Sequence, residues 1–220
     1  MLEFVRSFYN YSKFVQWPIS LASALTSISL LLTFFFTLFF PLNFLLIPIF
    51  KTAGHFSLTP LLKLSGLLKY HSPLFLTVNY NESKWEIHNG TTFDYVINMR
   101  WAQRGFRARQ MTINYYLVGL LNLINELKSR KNLTEIEVTG TSYFIGENTI
   151  SKIGFCEEKV RVWQKILFVV DYVTLFIMYS FSRGRISFPN IFKLKKIKIR
   201  GDKLVLAEGK LLRYLKRVGN

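Results

Sequence analysis

Cysteine, histidine and acidic residues are scarce in this chain of 220 residues. Cys156 is the single cysteine, so an internal disulfide and a cysteine-rich zinc site are both excluded. His55, His71 and His88 are too widely separated in sequence to pair on one helical turn or across one short hairpin. We therefore expect no metal site.

Negative charge is also scarce, because 13 Asp and Glu residues face 29 Lys and Arg residues and leave a formal charge of +16. The excess is greatest after Arg183. An anionic partner is therefore expected. Aromatic side chains are sparse in this basic region, so stacking on single-stranded nucleic acid is poorly supported. Anionic membrane lipids are the favoured partner, nucleic acid is disfavoured, and a protein partner remains open.

Charge is missing altogether from Trp17 to Phe50, a run of 34 residues. Within it, Ile19–Phe40 would form a helix of about 33 Å, close to the thickness of a bilayer core of about 30 Å. The apolar part of a cleavable signal peptide is shorter and ends at a small-residue site. The run therefore predicts a membrane segment.

Pro41 and Asn43 interrupt the apolar run, and this leaves two topologies open. One is a single span that is kinked near Pro41. The other is a re-entrant hairpin that turns at residues 41–43 and keeps both ends on one face. Residues 56–70 have leucines at helical spacing and predict an amphipathic helix, either at the membrane interface or in the core of the next domain.

We divide the chain into four parts: a membrane segment at 1–55, an amphipathic connector at 56–73, an α/β core at 74–165, and an apolar helix with a basic strand and helix at 166–220. In the core, alternation of apolar residues predicts strands at 74–80, 85–88 and 91–101. A long helix is predicted at 111–131, a strand at 133–144, a short helix at 145–155 and a further strand from 155.

In the last part, residues 166–181 predict one buried or membrane-docked helix, with spanning as a minority alternative. Its acid, Asp171, should be satisfied by a neighbouring arginine or a backbone group. The alternation of lysine with leucine and isoleucine at 193–200 predicts a strand that turns at Gly201. An amphipathic helix with a basic face is expected after it.

Residues 120–155, LLNLINELKSRKNLTEIEVTGTSYFIGENTISKIGF, resemble the second half of a GNAT-fold (GCN5-related) N-acyltransferase. That family has a long helix, a central strand, a short helix and a K-x-G-F-type ending, here SKIGF at 151–155. The resemblance is looser over about 75–165. It implies an α/β fold with a GNAT-like mixed sheet, preceded here by the transmembrane or re-entrant helical segment. It also implies acyl-CoA or an acyl carrier thioester as the cofactor.

The resemblance directs attention to particular side chains. Asp94 and Glu137 are candidate general bases on predicted strands beside the cleft, and Tyr143 is a candidate acid. The family's glycine-rich phosphate turn is not matched before Leu120. An arginine cluster is the candidate replacement that would hold a phosphate by charge, and its members are Arg104, Arg107 and Arg109.

Two functions remain open from the sequence. In the first, a membrane-anchored N-acyltransferase transfers an acyl group from a thioester to an amine acceptor at the membrane face. In the second, a non-catalytic basic membrane subunit or adaptor keeps a degenerate GNAT-like scaffold. The family often has a tyrosine acid where this chain has Ile150, which cannot donate a proton. We place the protein at the membrane, with its main domain in the cytoplasm.

Overall fold

The computed structural model describes residues 8–37, 40–79, 82–99, 102, 105–142 and 151–219, and it has an α/β fold. The N-terminal helices are apolar, and a mixed sheet packed against helices follows them. The helices are α1 (Lys13–Thr37), α2 (Phe40–Leu64), α3 (Thr92–Met99), α4 (Phe106–Lys128), α5 (Val162–Val170), α6 (Tyr172–Arg183), α7 (Gly201–Leu206) and α8 (Glu208–Gly219). The strands are β1 (Lys69–Ser72), β2 (Phe75–Asn79), β3 (Lys84–Asn89), β4 (Glu137–Ser142), β5 (Cys156–Glu158) and β6 (Lys195–Arg200).

The six described strands form one sheet in the order β1-β2-β3-β4-β6-β5. Strands β3 and β4 pair in parallel, while the other neighbours pair antiparallel. A parallel pair needs a long crossover connection, and here α3 and α4 supply it. The predicted strands at 74–80 and 193–200 are confirmed with shorter bounds, and the predicted strand at 85–88 is confirmed with slightly longer bounds.

The predicted strand at 91–101 is wrong, because α3 begins at Thr92. The backbone N–H of Thr91 donates to Asp94 Oδ2 at 2.7 Å, and the backbone N–H of Asp94 donates to Thr91 Oγ1 at 3.4 Å. This reciprocal pair is a capping box, which satisfies donors that the first helical turn leaves open. The alternation of apolar residues that suggested a strand is overridden by this local helix-starting signal.

Helix α4 crosses one face of the sheet and builds the main core. Leu123, Ile124 and Leu127 are fully buried there against sheet residues that include Trp85 and Val138. The predicted helix at 111–131 is therefore confirmed, although it begins at Phe106 and ends at Lys128. The following strand, predicted at 133–144, begins later than expected, at Glu137, and is described as far as Ser142, because residues 143 and 144 lie outside the described residues.

Helices α1 and α2 lie side by side in opposite directions. The Ser27 hydroxyl bonds the Ser57 hydroxyl, and the Phe34 and Phe50 rings meet edge to face with centroids 5.3 Å apart. As the residue number rises along α1 it falls along α2, so the pair is a hairpin and not one kinked span. The turn was expected at residues 41–43, but these lie inside α2. Pro41 lies in the first turn of α2, where its missing N–H has no helical partner to lose.

Helix α2 continues to Leu64, so the predicted helix at 56–70 is the end of a longer one. Lys69–Ser72 is strand β1 and not helix. The predicted boundary between a membrane segment and a connector at residue 55 therefore falls inside α2.

The apolar stretch at 166–181 is two helices, α5 and α6, which meet at Asp171 with a bend of 72°. The carboxylate of Asp171 pairs with Lys51 Nζ at 2.5 Å, and the Thr52 and Thr174 hydroxyls lie 2.8 Å apart beside it. The partner of Asp171 is thus a lysine of α2, where the sequence suggested an arginine or a backbone group. This ion pair joins the hairpin to the bent helices.

Two further predictions near the C-terminus are corrected. The strand expected from residue 155 extends only over Cys156–Glu158 before α5 begins at Val162. The expected turn at Gly201 is the start of α7, and the amphipathic helix that follows is divided into α7 and α8. Most of the short helix predicted at 145–155 lies outside the described residues. Gly154 ends its described part with φ of 99°, as a helix-ending glycine does.

Within the described residues, Lys13–Phe36 of α1 is long and apolar enough to cross a membrane. Only 11% of its most apolar stretch is buried inside the protein. An ordinary core helix of this length would bury a wide apolar stripe. The bent pair of α5 and α6 meets the same criterion of length and composition only when its two helices are counted together.

Candidate ligand cleft between strands β3 and β4

The parallel strands β3 and β4 part at their carboxyl ends. Their pairing ends at Ile87 and Gly140. Strand β3 continues to pair with β2 as far as Asn89, and β4 continues to pair with β6 as far as Ser142. A gap therefore opens between β3 and β4, while each strand stays paired on its other side, β3 with β2 and β4 with β6. Carboxyl ends of parallel strands at such a crossover are a common place for ligands to bind.

A cavity of about 570 Å³ lies at this opening. The sheet forms one wall with Phe75, Ile87 and Ile197, and α4 forms another with Leu117 and Leu120. Helix α8 contributes further side chains, and so does the segment that ends at Phe155. Apolar side chains thus dominate the described lining, as is usual for sites that bind small molecules.

Gly140 keeps the floor of the cleft narrow. A Cβ atom at this position would lie 2.5 Å from Ile87 Cγ1, which is closer than side-chain carbons pack. Any residue with a side chain would push against Ile87 and widen the gap between β3 and β4. The glycine in VTGTS is therefore required by the parallel pairing beside the cavity.

Three cationic side chains, Arg109, Lys152 and Arg183, line the cavity. They come from α4, from the segment before Gly154 and from the end of α6. The described lining includes no Asp or Glu. In the part of the chain that the structure describes, none of the three has a carboxylate within 4 Å. Their charge is thus available to an anionic group of a ligand.

His88 is the titratable lining residue best suited to accept a proton. It lies at the open end of β3, and 42% of its side chain is exposed, although surrounding protein still desolvates the ring. Desolvation lowers the pKa of His88 below its ordinary 6.5, while nearby Glu86 acts in the opposite direction. The imidazole is therefore neutral near pH 7 and can act as a base.

Hydroxyl groups also line the cavity wall, although those of Thr112 and Ser182 donate to carbonyls of their own helices. Thr112, Thr141, Ser182 and Tyr214 contribute to the described lining, as does Tyr116. The Tyr116 hydroxyl lies 2.8 Å from the hydroxyl of Tyr95, which is fully buried. Burial raises the pKa of Tyr95 well above its ordinary value, so the Tyr95 hydroxyl stays neutral.

The predicted base Asp94 lies in α3 and not on a strand, and it is not among the described residues that line the cavity. It is completely buried, and Oδ2 accepts hydrogen bonds from the Thr91 backbone, the Thr91 hydroxyl and the Tyr70 hydroxyl. These hydrogen bonds hold the start of α3 in place.

The predicted base Glu137 is on β4 as expected, but it begins the strand while the cavity lies at the other end. Its Oε2 pairs with Lys198 Nζ at 2.7 Å on the neighbouring strand β6. Half-exposed charges of this kind are typical of a cross-strand pair on an open sheet face. The structure therefore does not bring Glu137 and Asp94 together at the cleft.

The predicted arginine cluster divides. Both Arg107 and Arg109 are exposed on α4, but only Arg109 is in the described lining of the cavity. Arg104 and the predicted acid Tyr143 lie outside the described residues. The sequence therefore predicted one of the cationic lining residues.

Sequence reasoning missed His88, Lys152 and Arg183. For His88 a signal was present, because the pattern Thr-x-x-Asp at Thr91–Asp94 is a capping box. Reading it as such would have placed a helix, and not another strand, directly after the strand predicted at 85–88, and so would have put His88 at the start of a strand–helix crossover. Arg183 is far from the others in sequence, and no local pattern connects it with them.

Comparison with protein-family models, curated proteins and solved structures gave no match to this chain. Among the residues that the structure describes, no group of three His, Cys, Asp or Glu side chains could hold a metal ion.

Proposed function

We propose that this protein is a membrane-anchored, GNAT-like N-acyltransferase whose cleft takes an acyl thioester. The observation that carries the proposal is the cavity of about 570 Å³ where the parallel strands part, with an apolar lining and, among its described residues, three cations that have no carboxylate partner. An acyl chain suits the apolar walls. The phosphates of acyl-CoA or of an acyl carrier suit Arg109 and Lys152.

The reaction joins an amine to the acyl group. The amine nitrogen attacks the thioester carbonyl carbon, a carbon–nitrogen bond forms, and the carbon–sulfur bond breaks. One proton leaves the amine and one is taken by the departing thiolate, so an amide and a free thiol result. We assign His88 as the base that accepts the proton, because it is neutral, exposed and placed at the carboxyl end of β3.

Binding of the thioester is tested first on the full chain in detergent micelles. Titration with octanoyl-CoA should give saturable binding, and Arg109→Gln should weaken it about tenfold, the effect of one charge-assisted contact. Arg107→Gln is the matched control, because it removes the same charge from the same helix outside the described cavity lining. Equal losses in the two variants would argue against a thioester site in this cleft.

Catalysis is tested by mass spectrometry for amide products after incubation with octanoyl-CoA and amine-bearing lipids or peptides. His88→Gln should slow product formation by about 10²- to 10⁴-fold, as expected for loss of a general base. It should leave thioester binding within a small factor. If the wild-type protein binds the thioester but forms no amide, the proposed acyltransferase activity is wrong.

A non-catalytic membrane adaptor is the second candidate. One observation favours it, since both carboxylates proposed as bases from the sequence are engaged in contacts away from the cavity. In that case the scaffold would bind a partner or a lipid without chemistry, and the amide assay would separate it from the enzyme.

A further inference from the structure

Arg183, the last residue of α6, lies in the wall between two cavities. It lines the cleft between β3 and β4 and also a shallower depression of about 500 Å³ on the outside of the protein. Tyr179, Arg185, Ile186, Ser187 and Phe188 form the rest of the described lining of that depression. The deep cleft and the outer depression therefore share this arginine.

The guanidinium of Arg183 is held by a neutral partner. Its Nη2 donates to the Tyr179 hydroxyl at 2.7 Å, and its Cζ lies 5.0 Å from the centre of the Tyr179 ring. Of the carboxylates that the structure describes, none lies within 4 Å of it. The group is thus oriented, but its charge is not neutralised. A phosphate is a natural partner for such a planar donor.

The loop that carries the depression has a defined shape. Gly184 follows α6 with φ of 61° and turns the chain. The Ser180 hydroxyl then donates to the Ser187 carbonyl and accepts from the Ser187 N–H at 3.1 Å. These bonds hold Ile186 and Phe188 at the surface, where they are 79% and 71% exposed.

The surface around this loop is both apolar and basic. Helix α5 has no buried residue and packs beside the turn at Ile191–Lys193. Large apolar side chains are exposed on these elements, namely Val162, Trp163, Ile166 and Phe192. Arg161, Lys165, Arg185 and Lys193 are exposed among them. Apolar side chains interleaved with cations match the interface of a bilayer that contains anionic lipid.

We propose that the cleft opens sideways to the membrane at Arg183 and Phe188, and that it takes a phospholipid from the bilayer. The lipid phosphate binds the Arg183 guanidinium, and an acyl chain passes into the apolar cavity between α4 and the sheet. This deepens the proposed function and rests on it in one respect: an amine-bearing phospholipid taken in this way is the acyl acceptor. Lipid binding itself needs no thioester and no chemistry.

The test places the full chain in nanodiscs of phosphatidylcholine and phosphatidylglycerol with a trace of phosphatidylglycerol that carries a photoreactive group on its acyl chain. No thioester is added. After illumination, mass spectrometry should find adducts on cavity residues such as Leu117, Ile153 or Phe155. Arg183→Gln should lower this labelling about tenfold, whereas Arg183→Lys should retain part of it.

Arg213→Gln is the matched control, since it removes an exposed arginine of α8 outside the described lining of either cavity. Labelling confined to α1 and α5 would overturn the proposal, because the lipid would then touch the protein without entering it. Equal labelling in the Arg183→Gln and Arg213→Gln proteins, both with wild-type circular dichroism, would also overturn it. Because the assay contains no thioester, its failure leaves the thioester titration to decide the proposed function separately.

Discussion

The large apolar side chains that pack between the sheet and α4 lie inside, whereas those along α1 lie outside. Trp85 is 1% exposed and Leu123 is completely buried, but Phe14 and Phe36 are 92% and 81% exposed. The same residue types are therefore used in two ways within one chain. A continuous exposed apolar face like that of α1 is rare on soluble monomers. The comparison therefore indicates that α1 and the sheet domain lie in different environments.

The junction between the regions reflects this difference. Polar contacts are concentrated where α2 meets the domain, at the Lys51–Asp171 pair and the hydroxyls of Thr52 and Thr174. Partial removal from water costs less free energy for two ions that are paired than for two isolated ions. The hairpin is thus attached to the domain by satisfied polar groups, while its outer face remains apolar.

The largest expected effect comes from placing charge on the outer face of α1. Leu25→Asp combined with Leu32→Asp should release the protein from the membrane, because each aspartate costs about 2.5–3.5 kcal/mol near the centre of a spanning helix. Both leucines are exposed. The measurement is the fraction of protein that resists extraction at alkaline pH.

The matched control places the same charges on exposed leucines of the sheet domain, Leu206→Asp with Leu212→Asp. This double variant should stay in the membrane fraction. If the α1 variant also stays there, the outer face of α1 does not lie in lipid and the contrast between the two regions is lost.

The next effect is expected inside the domain, at Asp94. Asp94→Ala removes the acceptor of three hydrogen bonds, two from Thr91 and one from Tyr70. We expect a loss of about 2–3 kcal/mol in the free energy of unfolding, measured by urea titration of tryptophan fluorescence in detergent. Asp202→Ala removes a partly exposed acid in the first turn of α7 that pairs with Arg200 at the surface, and it should change stability much less. Equal stability of the two variants would contradict a structural role for Asp94.

A similar but smaller loss is expected where α4 approaches the sheet. At Gly119 a Cβ would lie 2.5 Å from Phe75 Cβ, so Gly119→Ala should destabilise the domain by about 1–3 kcal/mol. Gly209→Ala in α8 meets nothing within 4 Å and should be neutral or slightly stabilising, because alanine favours helix. The difference in urea midpoint between the two variants measures the tightness of this contact.

The smallest effect is a pH dependence from His71. This buried ring has Nε2 2.8 Å from Thr77 Oγ1, and desolvation lowers the pKa of His71 below its ordinary 6.5, although Glu126 opposes the shift. The unfolded chain then binds the proton more readily than the folded one. Stability is complete above about pH 6.5 and falls as the pH drops below that value.

In His71→Gln this acid slope should be smaller, by at most about 1.4 kcal/mol per pH unit for one proton. It should not vanish, since the pKa of His88 is lowered in the same direction. Urea unfolding at pH 5 to 7.5 provides the measurement. An unchanged slope would mean that His71 is not the group that resists protonation.

Secondary structure was predicted correctly where the periodicity of apolar residues and the residue composition indicated the same element. The strands β2, β3 and β6 and the helix α4 were predicted, because two-residue alternation and helical spacing were each clear over enough residues. The prediction failed at α3, where Phe93, Tyr95 and Ile97 alternate as in a strand. The helix is decided there by the capping box and by burial against α6 and α2, which alternation does not report.

The candidate site was harder to predict than the fold. Arg109 was identified because it stands in a visible cluster of arginines, and His88 was missed because its neighbouring helix was misassigned. Arg183 and Lys152 reach the same cavity from distant parts of the chain. Their proximity depends on how α6 and the segment before Gly154 pack on the sheet.

The amino-acid sequence by itself determined that an uncharged N-terminal run long enough to cross a membrane precedes a basic α/β domain, because charge, hydropathy and short periodicities are local properties. The tertiary structure alone decided that the run doubles back as a hairpin and that Asp171 finds Lys51. It also decided that β3 and β4 part over a cavity with cations on its walls. Those features depend on contacts between residues far apart in the chain, and such contacts form only when the whole core packs.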